Sequence, residues 1–199
     1  MSPLLKCALS LFVFSLSTRA LAMEASPLPP KLRPPAITVW TGGGVGSVFD
    51  TRVGPIPAAQ GTLGVTVPLG RLFAVELSGA GAIAKGRGSE PDDAWGRLAL
   101  GLRVERGDLW KMRPYGAVRL IHVHFAPLDT WTDHPGASLA GSSSHGLSHR
   151  SGLAAAIGLS YGLGDSRFRL YGELEPSWLA VGRGPSFFAT ASFGMGVTL

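Results

Sequence analysis

Eight runs of this chain alternate apolar and non-apolar residues with period two, and that rhythm constrains the fold more than any other feature. Successive side chains of a strand point to opposite faces, so such a run carries one apolar face and one of different character. The last run shows it plainly. In "FFATASFGMGVTL", Phe187, Ala189, Ala191, Phe193, Met195, Val197 and Leu199 share one face, while Phe188, Thr190, Ser192, Gly194, Gly196 and Thr198 share the other. The rhythm predicts strands over 36–48, 60–69, 71–84, 95–106, 113–126, 149–163, 167–180 and 187–199. Several are longer than the ~5–6 residues common in soluble sheets. They suit a bilayer, which a tilted strand crosses in ~9–11 residues. The 28 glycines and 15 prolines exclude a helical bundle, because both residues are poor in helix interiors.

The two faces differ consistently. Phe73, Val75, Leu77 and Ile83 oppose Leu72, Ala74, Glu76, Ser78 and Ala80. Leu98, Leu100, Leu102 and Val104 oppose Arg97, Ala99, Gly101, Arg103 and Glu105. Phe168, Leu170, Leu174 and Trp178 oppose Arg169, Tyr171, Glu173 and Glu175. A soluble lipocalin-like barrel would turn the apolar face inward; a membrane barrel would turn it to lipid and the charges into the lumen. The polar face mixes both signs of charge with Gly, Ala and Ser and has almost no Lys, Asn or Gln, whereas a water-facing surface carries long solubilising side chains. A narrow lumen needs small residues for space and paired charges for neutrality, because an unpaired buried charge costs several kcal/mol. Glu76, Glu105, Glu173 and Glu175 are therefore expected to pair with Arg97, Arg103, Arg119 and Arg169. Trp95, Trp131, Trp178, Tyr115 and Phe187 fall near strand ends, where aromatic girdles sit. The strand over 113–126 fits less well. With Tyr115 and Arg119 inside, His122 and His124 share the lipid face with Val118 and Leu120, unless a bulge intervenes.

The breaks alternate too. "PLGR" (68–71), "RGDLWKMR" (106–113) and "LGDS" (163–166) are short, while 49–59, 85–94 and 127–148 are long, with 181–185 short among them. Short turns at one end and long loops at the other mark an outer-membrane barrel. Ahead of the strands, residues 1–22 combine Lys6, an apolar run over Cys7–Leu16 and an Ala20-Leu21-Ala22 cleavage site, which is the pattern of a cleaved signal peptide. Residues 23–35, "MEASPLPPKLRPP", form a Pro-rich periplasmic linker. Losing residues 1–22 removes Lys6, Arg19 and no acid, so the net charge of +5 becomes +3. The basic residues form no single patch, and a nucleic-acid partner is not expected. The lone cysteine, Cys7, lies in the leader, so no disulfide is expected in the mature chain.

On these features, residues 36–199 resemble the small eight-stranded outer-membrane barrels of Gram-negative bacteria, of the OmpA and OmpX kind. The resemblance rests on the leader, the strand and loop rhythm, and the terminal "FATASFGMGVTL". It implies an all-β, eight-stranded antiparallel up-and-down transmembrane barrel in the outer membrane, in contact with outer-membrane lipid and monomeric. It implies further that the last strand is read by the barrel-insertion machinery, through Phe193, Met195, Val197 and Leu199. That group commonly ends in Phe, and this chain ends in Leu199.

Little in the sequence points to chemistry, and neither an enzyme nor a cofactor is expected. All five histidines lie between 122 and 149: His122, His124, His134, His145 and His149, with Asp129 and Asp133 nearby. Clustered imidazoles can bind zinc or copper, but no fixed ligand spacing with cysteine is present and a polar external loop is the expected reading. "HRS" places His149 and Ser151 on one face, which resembles the His-x-Ser of barrels that deacylate lipid A, but the acid of a triad is missing from the following stretch. "TGGGVG" (41–46) lacks the helix that a phosphate-binding loop must precede and suits close strand packing instead. The expected function is a structural anchor displaying the external loops. The alternatives are a narrow ion or solute path, a soluble ligand-binding barrel and a lipid A-modifying enzyme.

Overall fold

The computed structural model describes residues 36–50, 54–86, 92–106, 111–134, 147–164, 166–180 and 186–199. The leader and linker segments lie outside them. Eight strands follow in order: β1 (Thr38–Asp50), β2 (Gly54–Pro68), β3 (Phe73–Ala84), β4 (Asp93–Glu105), β5 (Met112–Pro127), β6 (Ser148–Gly162), β7 (Phe168–Leu179) and β8 (Phe187–Thr198). A short helix, α1 (Leu128–Asp133), follows β5. Each strand pairs antiparallel with the next, and β1 pairs with β8 from Thr38↔Thr198 to Phe49↔Phe187, closing the barrel. Closure leaves no open sheet edge.

This topology gives the barrel two ends. The β2–β3, β4–β5 and β6–β7 connections lie at a turn end with both termini of the barrel. The other four connections lie at a loop end. The turns use left-handed backbone where the chain reverses: Gly70 has φ 134°, Lys111 has φ 66° and Gly164 has φ 63°.

Strand β2 begins at Gly54, six residues earlier than the rhythm indicates, so much of the segment read as an external loop over 49–59 is strand. Pro55 and Pro57 hide it. They pair with Phe49 and Ser47 of β1, while β3 begins pairing only at Ala58↔Ala84. A proline cannot donate to a ladder and is tolerated where a strand has one partner. Pro176 acts similarly in β7. The β6–β7 pairing lapses between Ala154↔Ser177 and Ile157↔Leu174 without changing register.

The apolar face points outward. Leu98, Leu100 and Leu102 are 62%, 53% and 47% exposed, and Leu63, Leu77, Val118, Leu120, Leu153, Ile157, Leu174 and Phe193 share this exterior. Such a continuous belt is far larger than the apolar patches tolerated on a water-soluble monomer. The "TGGGVG" stretch lies within β1. Gly44 faces inward against β8; a Cβ there would approach Ser192 Cα to 2.9 Å. The missing side chain lets the closing seam form.

Candidate functional site

The lumen is filled by two layers of different chemistry. At its centre Arg119 is 2% exposed and Glu76 1%. Arg119 Nε and Nη2 donate to Glu76 Oε2 at 3.0 and 2.9 Å. Its Nη1 and Nη2 donate to Glu173 Oε1 and Oε2 at 2.6 and 2.7 Å. Nη1 also donates to Glu175 Oε2. One guanidinium thus holds three carboxylates through its planar donor fork, which lysine could not supply. Arg103 Nη1 donates to the other Glu76 oxygen at 3.1 Å, and its Nη2 pairs with Glu105 at 2.6 Å. Arg97 pairs with Glu175. Arg169 donates to Ser160 Oγ at 3.2 Å.

Glycines make the room. Glu76, Gly101 and Arg119 lie opposite one another across β3, β4 and β5. A Cβ on Gly101 would come within 2.7 Å of Arg119 Cγ, so Arg119 reaches Glu76 across a vacant position. Tyr115, Gly158 and Glu173 form the same arrangement across β5, β6 and β7. The Tyr115 hydroxyl donates to Glu173 Oε2 at 3.0 Å over Gly158. The Arg103 guanidinium carbon sits 3.4 Å from the Tyr115 ring centroid, a cation–π contact.

Toward the loop end the lumen turns apolar. Val48, Ala82, Trp95, Ile121, Val123, Leu179 and Phe188 form one buried cluster. Trp95 packs on Phe188 with centroids 5.5 Å apart, and Phe125 stacks on Phe188 at 5.6 Å. A cavity of about 10 Å³ remains between the two layers, lined by Gln60, Arg97, Ser177 and Thr190 among others. That is room for about one water.

Two of the five aromatics expected in interfacial girdles belong to this interior. Trp95 and Tyr115 are 6% and 5% exposed. Trp95 shares its parity with Arg97 and Arg103, and alternation alone sends it inward. Trp178 is half-exposed on the outer wall and contacts Phe187 at 5.5 Å. Trp131 belongs to α1 and packs over Gly96, its Nε1 donating to the Ala94 carbonyl at 3.1 Å. On the closing strand, Phe193, Met195 and Leu199 are exposed on the exterior.

Toward the loop end, the described outer wall carries a cluster of histidines. The β5 register is unbroken against both neighbours, so no bulge turns His122 or His124 inward. His124 lies directly opposite His149 of β6, and His122 directly opposite Ser151. The ring centroids of His122, His124 and His149 are 4.6–5.8 Å apart. His122 Nδ1 is 3.0 Å from Ser151 Oγ. Ser151 therefore meets the histidine across the strand pair rather than His149, its neighbour in the His-x-Ser motif. No carboxylate joins the three histidines among the described residues. His134 is exposed beyond α1, and His145 lies outside the described residues.

No protein-family model matches the chain, and no curated protein matches it. Solved structures match its fold. Neisserial surface protein A aligns with a TM-score of 0.64 at 11% identity, over 82% of this chain and 97% of that one. Ail, the attachment invasion locus protein of Yersinia pestis, aligns with a TM-score of 0.54 at 14% identity, over 84% of this chain and all of the other. The described chain therefore has the fold of the small eight-stranded outer-membrane barrels.

Proposed function

We propose that this chain is an integral protein of the bacterial outer membrane, a non-enzymatic anchor that spans the lipid and displays its loop end outside. The observation that carries this reading is the orientation of its two faces. Leucines cover the exterior, while Arg119 and its carboxylates are sealed within. Burying several charges together tolerates a low-dielectric setting only when they are paired, and acyl chains supply such a setting. The fold likeness to Neisserial surface protein A and Ail supports the same placement.

The apolar plug and the ion-pair layer leave about 10 Å³ between them, which favours an anchor over a conducting path. The lattice of Glu76, Arg97, Arg103, Glu105, Arg119, Glu173 and Glu175 serves in this reading to hold the staves together, and Arg169 contributes to the inner wall through Ser160. Residues 1–22 act as the export signal and 23–35 as a periplasmic linker. Phe193, Met195, Val197 and Leu199 present the terminal strand to the insertion machinery, and the barrel works as a monomer among outer-membrane lipids. Long loops on the external side follow from the short-turn, long-loop asymmetry of such barrels.

Envelope fractionation with a mobility test decides this. The chain should sediment with outer membranes, and its unboiled band should shift on boiling in SDS. Planar bilayers containing it should stay silent. Recovery in the periplasm without detergent would refute the anchor, and steady conductance steps would replace it with a channel.

A further inference from the structure

We propose that His122, His124 and His149 form a binding site for a divalent transition-metal ion of the zinc and copper class, on the outer wall at the loop end. This goes beyond the anchor reading and stands on the side chains alone. One ring nitrogen from each of the three histidines lies within 4.8 Å of the others. Three nitrogens at ~2.0–2.1 Å from a tetrahedral ion are roughly 3.4 Å apart. Rotations of side chains already on adjacent, fully paired strands are the movement that would close that difference. His124 and His149 are a direct cross-strand pair and His122 is two residues along β5, so the register itself holds the three donors in a triangle.

Ser151 gives the second observation. A metal-bound imidazole generally donates its other ring N–H to an oxygen, which fixes the tautomer and aims the free nitrogen at the ion. Ser151 Oγ stands 3.0 Å from His122 Nδ1 and can accept that proton. His122 then offers Nε2 to the ion. The indole of Trp131 covers Gly96, the residue opposite His124, and so flanks the cluster on that side. A belt otherwise built of Leu98, Leu120 and Leu153 gains nothing from three imidazoles for contact with lipid. An all-nitrogen donor set selects zinc, copper or nickel over calcium and magnesium, which require oxygen ligands. With three protein ligands the fourth position stays open to water or an external donor.

The test uses the untagged full chain in detergent micelles, titrated with Co²⁺ alone and then displaced by Zn²⁺. One equivalent of Co²⁺ should bind with the intense visible absorption of a tetrahedral site, and Zn²⁺ should abolish it. His124→Ala and His149→Ala should each weaken binding by more than the ~10–100-fold typical of losing a supporting residue, and Ser151→Ala should fall within that ~10–100-fold range. His134→Ala should leave binding unchanged. All four positions lie on the exterior, and the mobility shift on boiling verifies that each variant is folded. Absence of saturable one-to-one binding would overturn the proposal. So would binding that survives the His124→Ala/His149→Ala pair, or that His134→Ala removes. Wild-type affinity in Ser151→Ala would remove the positioning role assigned to that serine.

Discussion

Replacing Arg119 with methionine tests the lumen most sharply. Methionine keeps an unbranched apolar stem but removes the guanidinium. Three carboxylates lose a partner, and they do not lose equally. Glu76 keeps Arg103, and Glu175 keeps Arg97 and the Ser177 hydroxyl at 3.2 Å. Glu173 is left with the Tyr115 hydroxyl at 3.0 Å. Summing the lost charged hydrogen bonds at ~1.5–3 kcal/mol each would overstate the effect, because the acceptors are shared and contacts within one network are not additive. Breaking one buried ion pair costs about 3–5 kcal/mol, and with Glu76 and Glu175 still served the whole substitution should fall in that range. At a urea dependence of about 2 kcal/mol per molar, the unfolding midpoint in micelles should drop by roughly 1.5–2.5 M. Tryptophan emission and the unboiled gel band both report it. Adding Glu173→Gln should restore part of the loss, because it neutralises the carboxylate left with least support. An unchanged midpoint, or a Glu173→Gln that deepens the loss, would refute the claim that this network supports the barrel.

Gly101→Val should destabilise by more than 1 kcal/mol, since over-packing costs ~1–3 kcal/mol and its Cβ meets Arg119; the same urea titration reads it. Leu100→Arg on the belt should cost about 2–4 kcal/mol near mid-bilayer, the depth-dependent cost of arginine facing lipid, whereas a water-exposed position would register within ~0.5 kcal/mol. Trp95→Ala should lose ~3–5 kcal/mol by emptying the apolar plug, and wild-type stability in urea would show that the plug is not packed. Phe193→Ser should lower the amount of barrel inserted in cells, measured against total chain by immunoblot, while purified protein still refolds in micelles.

The strand rhythm was legible because parity is a local property, and each strand's charges and leucines declare opposite faces without help from neighbours. Where local signals conflict, the sequence misleads. Pro55 and Pro57 look like loop residues until β2 is seen to run past β3 with one partner. Trp95 and Tyr115 look like girdle residues by position along the strand, although their parity already places them inside. The helix over Leu128–Asp133 has only Asp129 in its first turn as a local cue, and its anchor is the Trp131 bond to Ala94 in another strand. The glycine vacancies at Gly101 and Gly158, which bring Arg119 to Glu76 and Tyr115 to Glu173, depend on register across three strands. The histidine triangle does also. His122 and His124 are visibly on one face, but only the β5–β6 pairing brings His149 opposite His124 and Ser151 opposite His122. Sequence spacing pairs that serine with the wrong histidine.

The outward direction of the leucines underlies everything proposed for this chain, and it can be measured directly. Cys7 is the lone cysteine and lies in the segment expected to be removed, so a cysteine placed at Leu100 can be labelled by itself. A fluorophore there, in vesicles of brominated lipid, should be strongly quenched and should be insensitive to aqueous iodide. A label at Leu100 that iodide quenches and brominated lipid does not would contradict a lipid-facing exterior.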